Sequence, residues 1–455
     1  MPLRPYQEEA VAAFEAQQRV GVLNMATGTG KTITSIAAIQ RDYQTNCRQF
    51  LVIIVPFTHL VAQWLTSLRQ ANISVDLRIM GDSRYWRQRL PGLVWAFSRG
   101  FSNRVVVIGT YKSICSSNFE TAIQQLPAER TFLLADECHY VGALQRQRPF
   151  LHQFDSRLGL SATPNRWWDE SGTAFIRTVF GADVFVYGMD KAIQNGFLTP
   201  YTYDPVITRL DSEEMATFDR LTKRINASMA AQTQGQSMPE AVKRLLLRRS
   251  RLIKSAAGKM ALLEAMITKQ VDPHYTLVYC ANKAEVGAVV AMLAAHGIQG
   301  HRFDSSLALA KRTQVLEAFA AGEIAVLVAV KCLDEGVDVP ATREAYFLAS
   351  TSNPREFVQR RGRILRRALG KQKAMVHDFV VLPPRGYSGK YAEQLIRHEL
   401  PRVYELNAFA ANKYAARAVL APVLRKLQLE RYLDKSSQAI YLESQKERDG
   451  YDITA

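Results

Sequence analysis

The sequence predicts an α/β protein of two tandem lobes, each built on a parallel β-sheet, with a helical C-terminal extension. Strand-sized apolar segments alternate with helical segments in two separate stretches of the chain, which is the pattern of βαβ units. The alternation stops near residue 382, and only helical patterns follow. A chain of 455 residues is also too long for one compact core.

The first lobe begins with a helical pattern that places Ala10, Val11 and Phe14 on one face. Five strand-like segments follow, with helical segments between them: residues 20–25, 50–55, 105–108, 132–135 and 158–160. Continuously apolar strands of this kind suit a sheet that is covered on both faces. We therefore assign residues 1–195 to a first α/β lobe.

The alternation lapses around residues 188–209, and a largely helical, basic stretch extends to about residue 258. Strand-like segments then return at residues 276–280, 300–303, 325–330, 345–349 and 375–380. This pattern predicts four parts: a first lobe at 1–195, a helical basic connector at 196–258, a second lobe at 259–382 and a helical C-terminal extension at 383–455.

Composition favours a polyanion as partner, because 58 Lys and Arg against 42 Asp and Glu give a formal net charge of +16. The five cysteines form no Cys-x-x-Cys pair, which argues against a disulfide framework or a zinc ribbon and suits a reducing compartment. No apolar run reaches the length of a membrane span, and the N-terminus lacks the pattern of a secretory signal. We expect a cytoplasmic protein with nucleic acid, and no membrane, among its partners.

The first clear strand runs into a Gly-rich turn and then a helix, an arrangement whose backbone N–H groups and helix dipole favour a phosphate group. Lys31 is expected to reach the β- and γ-phosphates of a nucleotide, and Thr32 to ligate Mg²⁺. Met25 stands where the general phosphate-loop pattern has its first glycine, whereas Gly28 and Gly30 keep a close backbone approach possible. Taken alone, this pattern is also compatible with a glycine turn that binds nothing.

Two carboxylates, Asp136 and Glu137, directly follow the buried strand predicted at 132–135. The carboxyl ends of parallel strands form the edge at which α/β sheets bind ligands. We expect Asp136 to hold Mg²⁺ and Glu137 to orient or deprotonate the attacking water. The alternative is a solvated acidic turn, but a phosphate loop about a hundred residues upstream, in the right chain order, favours the catalytic interpretation.

A third segment, residues 359–366, carries four arginines around one glycine. An arginine run is usually a solvated or nucleic-acid-facing surface. The spacing of Arg363 and Arg366 predicts that they share one helix face, from which both guanidinium groups could close over a γ-phosphate held by the other lobe. An arginine in that role is worth roughly 10³–10⁵ in rate in comparable phosphoryl-transfer systems.

These segments, in this order, resemble a superfamily 2 helicase with two RecA-like lobes, over roughly residues 3–380. Other segments match the family pattern in sequence order. They are Arg4 and Gln7 (adenine recognition), Pro56, Leu60, Gln63 and Trp64 (motif Ia), 109–111, 136–139 (the DExH-type box), 161–163 (motif III), 277–280 (motif IV), 334–338 (motif V) and 359–366 (motif VI).

The resemblance implies ATP and Mg²⁺ as cofactors and a role for each matching residue. The implied catalytic residues are Lys31, Asp136, Glu137, Gln359, Arg363 and Arg366. The implied ATP-binding residues are Arg4, Gln7, Thr27, Gly28, Thr29, Gly30, Lys31, Thr32, Gly336 and Asp338, with Thr32 and Asp136 on the metal. The implied nucleic-acid contacts are Pro56, Gln63, Thr110, Ser161, Thr163 and Arg360.

Within the superfamily, residues 161–166, 333–340 and 359–366 look most similar to excision-repair helicases of the archaeal and eukaryotic type and to restriction-enzyme motor subunits. The resemblance therefore implies an ATP-dependent motor that acts on DNA rather than RNA, working with partner subunits in repair or restriction. Two alternatives are open at this point. One is an RNA helicase, and the other is an ATP-gated clamp or scaffold that does not separate strands.

Overall fold

The chain forms two compact units, Met1–Asn195 and Gly196–Ala455. The computed structural model describes residues 2–81, 83–166, 169–230, 239–304, 306–330, 339–349, 354–387, 389–436, 438–440 and 442–443. Within this part of the chain each unit holds one sheet, and every strand pair in both sheets is parallel. The predicted fold class, two α/β lobes on parallel sheets, is confirmed.

Unit 1 contains seven strands and eight α-helices among its described residues. The strands are β1 Val20–Met25, β2 Gln49–Val55, β3 Leu77–Ile79, β4 Arg104–Thr110, β5 Thr131–Asp136, β6 Ser156–Ser161 and β7 Asp183–Tyr187. The helices are α1 Pro5–Ala16, α2 Lys31–Asn46, α3 Thr58–Gln70, α4 Arg84–Ser98, α5 Tyr111–Ile114, α6 Ser117–Ala122, α7 Glu170–Phe180 and α8 Met189–Gln194.

The strand order β3-β4-β2-β5-β6-β1-β7 determines where the functional residues of unit 1 meet. The inner strand β2 is buried at every residue, as expected for a sheet with helices on both faces. Strands β1, β6 and β5 are consecutive neighbours, with Asn24 paired to Ser161 and Asp136 paired to Leu160. The ends of these three strands therefore lie side by side at one edge of the sheet.

Two strands of unit 1, β3 and β7, were not predicted, and both lie at the edges of the sheet. β3 has only three residues, and β7 is mostly half-buried. An edge strand needs no continuous apolar run, because only part of its surface is covered. Continuous apolar runs therefore indicate the inner strands of this sheet but not its edge strands, β3 and β7.

Unit 2 contains six strands and eight α-helices among its described residues. The strands are β8 Tyr201–Arg209, β9 Thr276–Tyr279, β10 Gly300–Phe303, β11 Val326–Ala329, β12 Glu344–Phe347 and β13 Ala374–Leu382, in the order β10-β11-β9-β12-β13-β8. The helices are α9 Ser212–Ala230, α10 Glu240–Lys254, α11 Gly258–Ile267, α12 Lys283–Ala295, α13 Leu309–Ala321, α14 Pro354–Ile364, α15 Ala392–Asn407 and α16 Lys413–Lys426.

The interpretation of residues 196–258 as a helical connector is wrong at its start, because β8 is an edge strand of the second sheet. It pairs with β13 over its whole length, from Tyr201 to Arg209. Its burial alternates, and Pro205 lies within it, which only an edge strand tolerates easily. Helices α9 and α10 follow β8; α10 is strongly basic, whereas α9 carries equal numbers of acidic and basic residues, and both pack on β13 through residues such as Phe218 and Ile253.

The C-terminal helices belong to the core of unit 2. Arg402 of α15 is buried and donates from Nε to both carboxylate oxygens of Asp378 in β13, at 2.8 and 2.9 Å, and from Nη2 to Glu399 at 2.9 Å. Burial alone would raise the pKa of Glu399, but the Arg402 charge outweighs it and holds that pKa well below its usual range. This buried ion cluster fixes α15 to the last inner strand of the sheet.

Candidate functional site

The loop between β1 and α2 is held in a fixed shape from within unit 1. The Tyr6 hydroxyl donates to the Thr29 carbonyl oxygen at 2.5 Å. The fully buried Thr29 hydroxyl donates back to the carbonyl oxygen of Ala26 at 2.7 Å. Gly28 and Gly30 have φ angles of +88° and +86°, in the left-handed region that favours glycine. The loop is therefore preformed.

Gln7 joins the start of α1 to the end of this loop. Its side-chain oxygen accepts from the Arg4 backbone N–H at 3.0 Å, and its amide nitrogen lies 3.5 Å from the Gly30 carbonyl oxygen. A Cβ at residue 30 would lie 2.6 Å from that nitrogen, so the close approach requires glycine. Tyr6, which the sequence did not single out, stacks on Tyr187 with ring centroids 4.1 Å apart. The adenine contacts of Arg4 and Gln7 stay predictions.

The loop fits a phosphate group. Lys31, the first residue of α2, donates from Nζ to the Met25 carbonyl oxygen at 3.0 Å, while the Met25 side chain is buried in the core. A methionine is therefore accommodated at this position. The Thr27 hydroxyl is buried and has no hydrogen-bond partner within the described part of the chain, which suits it to a bound anion. Thr32 lies half-buried in the first turn of the same helix.

Asp136 ends β5, and its carboxylate accepts two hydrogen bonds. Trp64 Nε1 donates to one oxygen at 2.9 Å, and the Glu137 backbone N–H donates to the other at 3.0 Å. Burial and the neighbouring Glu137 carboxylate raise the pKa of Asp136 to about 6, against the opposing effects of the Trp64 hydrogen bond and the Lys31 charge. Because the Lys31 charge acts on Asp136, the phosphate loop and the acidic pair form one electrostatic site.

The Glu137 carboxylate is oriented by two buried neighbours. Ser161 Oγ donates to Glu137 Oε2 at 3.4 Å, and His139 Nδ1 lies 3.3 Å from the same oxygen. The Thr163 backbone N–H donates to Ser161 Oγ at 3.1 Å. Ser161 is completely buried. Its hydroxyl is engaged between the acidic box and the following turn, and its predicted contact with nucleic acid stays a prediction.

The Trp64 hydrogen bond provides a test of the acidic pair. Trp64→Phe removes a donor that lowers the pKa of Asp136, so the pKa should rise, by about one unit for a lost hydrogen bond to a charged group. Asp136 must be ionised to hold a metal, so the acid limb of the kcat/KM profile for ATP, with its midpoint near pH 6, should move to higher pH.

The matched control for this variant is Trp86→Phe. Trp86 is equally buried, and its Nε1 donates to the Gly81 carbonyl oxygen at 3.2 Å, away from the acidic pair. It should leave the midpoint of the acid limb unchanged. Equal midpoints for both variants would contradict the assigned role of Trp64.

Arg360, a predicted nucleic-acid contact, is a core residue of unit 2. Its side chain is 3% exposed. The guanidinium donates to the Ala349 carbonyl oxygen at 2.8 Å, lies 3.8 Å from the Glu356 carboxylate and covers the Tyr279 ring. These contacts hold the guanidinium inside unit 2, and its predicted contact with nucleic acid stays a prediction.

The other predicted nucleic-acid contacts differ in exposure. The Thr110 side chain is buried, and its hydroxyl lies 3.3 Å from that of Ser113. The Thr163 hydroxyl is buried as well. Pro56 is half-buried after β2, and Gln63 is exposed on α3. Gln63 is thus the most accessible of these residues, and contact by all four stays a prediction.

The arginine helix ends earlier than the sequence predicts. Arg363 lies in the last turn of α14, whereas Arg366 lies two residues beyond the end of the helix. Arg366 forms an antiparallel bridge with Leu198, and the Thr199 N–H donates to the Leu365 carbonyl oxygen at 2.7 Å. The prediction that both arginines share a helix face is therefore wrong, since Arg366 belongs to the next segment of chain.

Other predicted residues of unit 2 have different outcomes. Arg361 is buried and anchors α14, donating to the Tyr201 hydroxyl at 3.2 Å and to the Glu405 carbonyl oxygen. Gln359 is half-buried in the same helix. Gly336 and Asp338 lie outside the residues that the structure describes. Their predicted contacts with ATP stay predictions.

The described residues contain no helix that is long and apolar enough to cross a membrane. They also contain no group of three or more His, Cys, Asp and Glu side chains that could hold a metal ion. A Mg²⁺ ion held by Thr32 and Asp136 would need phosphate and water oxygens to complete its shell, as is usual for this ion.

Two family models and several curated proteins match parts of this chain. Residues 1–166 match the family model described as type III restriction enzyme, res subunit, and residues 258–368 match the helicase conserved C-terminal domain. The chain is 24% identical over 390 residues to the DNA 3'-5' translocase XPB2 of Sulfurisphaera tokodaii, covering 80% of this chain and 79% of the relative. It spans less than two-thirds of the length of several other curated relatives.

Solved structures share the fold. The ATP-dependent type ISP restriction-modification enzyme LlaBIII, solved bound to DNA, is similar with a TM-score of 0.60 at 18% identity, over 91% of this chain and 31% of the enzyme. The Hef helicase domain of Pyrococcus furiosus is similar with a TM-score of 0.53 at 17% identity, over 86% of this chain and 97% of the domain.

Proposed function

Since this chain belongs to superfamily 2 of helicases and is related to XPB-type translocases and restriction-enzyme motor subunits, we propose that it is an ATP-dependent DNA helicase or translocase. One observation carries the proposal. Lys31, Asp136 and Glu137 lie at one edge of the unit 1 sheet, at the ends of β1 and β5, which are separated only by β6. This is where an α/β sheet binds a nucleotide.

The residues of unit 1 divide the chemistry among them. Lys31 holds the β- and γ-phosphates in the preformed loop, and Thr32 and Asp136 hold Mg²⁺, which neutralises phosphate charge. Glu137 orients the attacking water and takes its proton. The hydrogen bond from Ser161 and the neighbouring His139 keep the Glu137 carboxylate in one orientation for that task.

Unit 2 contributes positive charge in this proposal. Arg363 and Arg366 stabilise the charge that develops on the transferred phosphoryl group, and Gln359 acts from the same helix. Turnover then depends on residues of both units. This dependence is what allows the loss of the γ-phosphate to be coupled to movement along a nucleic acid.

A basic surface with exposed aromatic rings supports a nucleic-acid track. Residues 83–119 contain no Asp or Glu and six basic residues, at 84, 87, 89, 99, 104 and 112. Within this stretch α4 exposes Arg84, Arg89, Tyr85 and Trp95, the two rings being 58% and 52% exposed. Arginines attract the phosphate backbone and aromatic rings stack on bases, so such a face binds nucleic acid without sequence preference.

DNA is the proposed track, because one relative is named as a DNA translocase and one similar structure is a restriction-modification enzyme solved bound to DNA. The same relatives support work alongside partner proteins in repair or restriction. No observation on this chain favours RNA or a silent clamp over these activities.

The test is steady-state ATP turnover by the full chain with duplex DNA, single-stranded DNA and single-stranded RNA. DNA should stimulate turnover more than RNA does. Its apparent affinity should fall about 10³-fold or more between roughly 50 and 200 mM salt, if six or more phosphates are contacted. Stimulation by RNA alone would establish RNA as the track. ATP-dependent DNA binding without turnover would establish a clamp.

A further inference from the structure

A buried lysine lies at the end of the arginine helix. Lys371 is 5% exposed, and its ammonium donates to the carbonyl oxygens of Pro340 and Arg366, both at 3.0 Å, and to that of Ile364. A lysine ammonium has three N–H donors, so each donor has an acceptor. Neither the family pattern nor the sequence singled out this residue.

The three acceptors show what this ammonium holds. Ile364 is the last residue of α14, where carbonyl groups lack helical partners and a cation is favoured. Arg366 lies in the segment just beyond it. Pro340 follows Asp338, a predicted ATP contact, by two residues in the sequence. The Lys371 side chain therefore joins two parts of the backbone. One follows the predicted nucleotide-binding segment 334–338 in sequence, and the other lies at the end of segment 359–366.

We propose that Lys371 is a positioning residue that fixes where Arg363 and Arg366 act. Arg363 directly precedes one of its acceptors, and Arg366 is itself another, so loss of the ammonium removes three of the hydrogen bonds that hold the backbone carrying both guanidinium groups. Because Arg366 lies beyond α14, the helix alone cannot set its position relative to Arg363. This inference rests on the proposed function of the two arginines.

Unit 2 offers a chemically matched control. Lys259 is 3% exposed, and its ammonium also donates to three carbonyl oxygens, those of Ile253 at 2.9 Å, Lys254 at 3.1 Å and Leu348 at 2.7 Å. Two of these acceptors belong to the end of α10, which carries no predicted catalytic residue. Replacing Lys259 therefore removes the same kind of buried cap from a different helix.

The experiment compares Lys371→Met with Lys259→Met in the full chain, with DNA present. Urea unfolding should show a similar loss of stability for both variants. Lys371→Met should lower kcat about 10²-fold, the effect of a misplacement near 1 Å, with a much smaller change in the KM for ATP. Lys259→Met should keep kcat within about twofold of the unmodified chain at temperatures where it is folded.

A double-mutant cycle gives the decisive result. If Lys371 acts through the arginines, adding Lys371→Met to the double variant Arg363→Ala/Arg366→Ala should lower kcat by no more than about threefold further, because no arginine is left to position. Should Lys371→Met not fold, Lys371→Gln keeps two N–H donors and should give a kcat between those of the Met variant and the unmodified chain.

Two outcomes would overturn the proposal, and they are distinguishable. If the effect of Lys371→Met multiplies in full with that of the double arginine variant, or if kcat falls equally in the Lys371 and Lys259 variants, Lys371 does not act through the arginines. Unchanged kcat in both Arg363→Ala and Arg366→Ala would instead remove the catalytic role of the arginines, and with it the reason for positioning them.

Discussion

Replacing Lys31 with alanine is expected to lower DNA-stimulated ATP turnover by roughly 10²- to 10³-fold, the usual effect of removing one preorganised charge-stabilising group. The ammonium lies at the N-terminus of α2, in a loop whose backbone is already fixed. ATP affinity should fall as well, because Lys31 contacts the phosphates before and during the reaction. Turnover and nucleotide binding by the full chain measure both effects.

The control for this variant is Lys191→Ala. Lys191 is an exposed lysine of α8 in the same unit, so its loss changes net charge equally without touching the loop. Its turnover should stay within about twofold of the unmodified chain. Turnover by Lys31→Ala at the level of this control would show that ATP is hydrolysed elsewhere.

Arg363→Ala should lower kcat by roughly 10³-fold or more and leave the KM for ATP little changed. The guanidinium is assigned to charge that exists only in the transition state, so its loss should not weaken ground-state binding. Arg363→Lys should recover only part of the rate, because an ammonium lacks the planar fork of donors that matches phosphate oxygens. Single-turnover measurements with DNA bound separate this step from product release.

The neighbouring Arg367 supplies the matched control. It is exposed, and its guanidinium donates to the Gly196 carbonyl oxygen at 2.8 Å. Arg367→Ala should turn over ATP at close to the normal rate. A kcat for Arg363→Ala that equals this control would contradict the role of Arg363 in catalysis.

The parts of the fold and site that could be predicted are those whose signal is local in sequence. The inner strands are continuously apolar because both faces are covered, and the phosphate loop and the acidic pair directly follow two of them. Chain order then placed Lys31, Asp136 and Glu137 in one site without knowledge of any distant contact.

The parts that could not be predicted depend on partners far apart in the chain. Trp64 lies 72 positions from the Asp136 carboxylate to which it donates, and nothing in its neighbourhood indicates that contact. Ser161 looked accessible in sequence, but it is buried because β6 lies between β1 and β5. The edge strand β8 was not predicted, because it has alternating burial and contains a proline and so lacks a continuous apolar run.

The arginine segment shows a further limit. Residue spacing correctly marked an arginine-rich helix, but it could not show that the helix stops at Ile364, before Arg366. The end of the helix is set by tertiary contacts from Thr199 and Lys371, neither of which belongs to the motif. Helix ends are harder to predict from sequence than helix interiors. The prediction that Arg363 and Arg366 share a helix face therefore failed at the end of α14.

The most direct test of the proposed roles of Lys31, Arg363 and Arg366 in ATP turnover is a crystal structure of the full chain with DNA, ADP, Mg²⁺ and aluminium fluoride. We predict that Lys31 and the guanidinium groups of Arg363 and Arg366 all contact the fluoride group that mimics the transferred phosphoryl, at about 3 Å. Lys31 on that group with both guanidinium groups directed to solvent would contradict it.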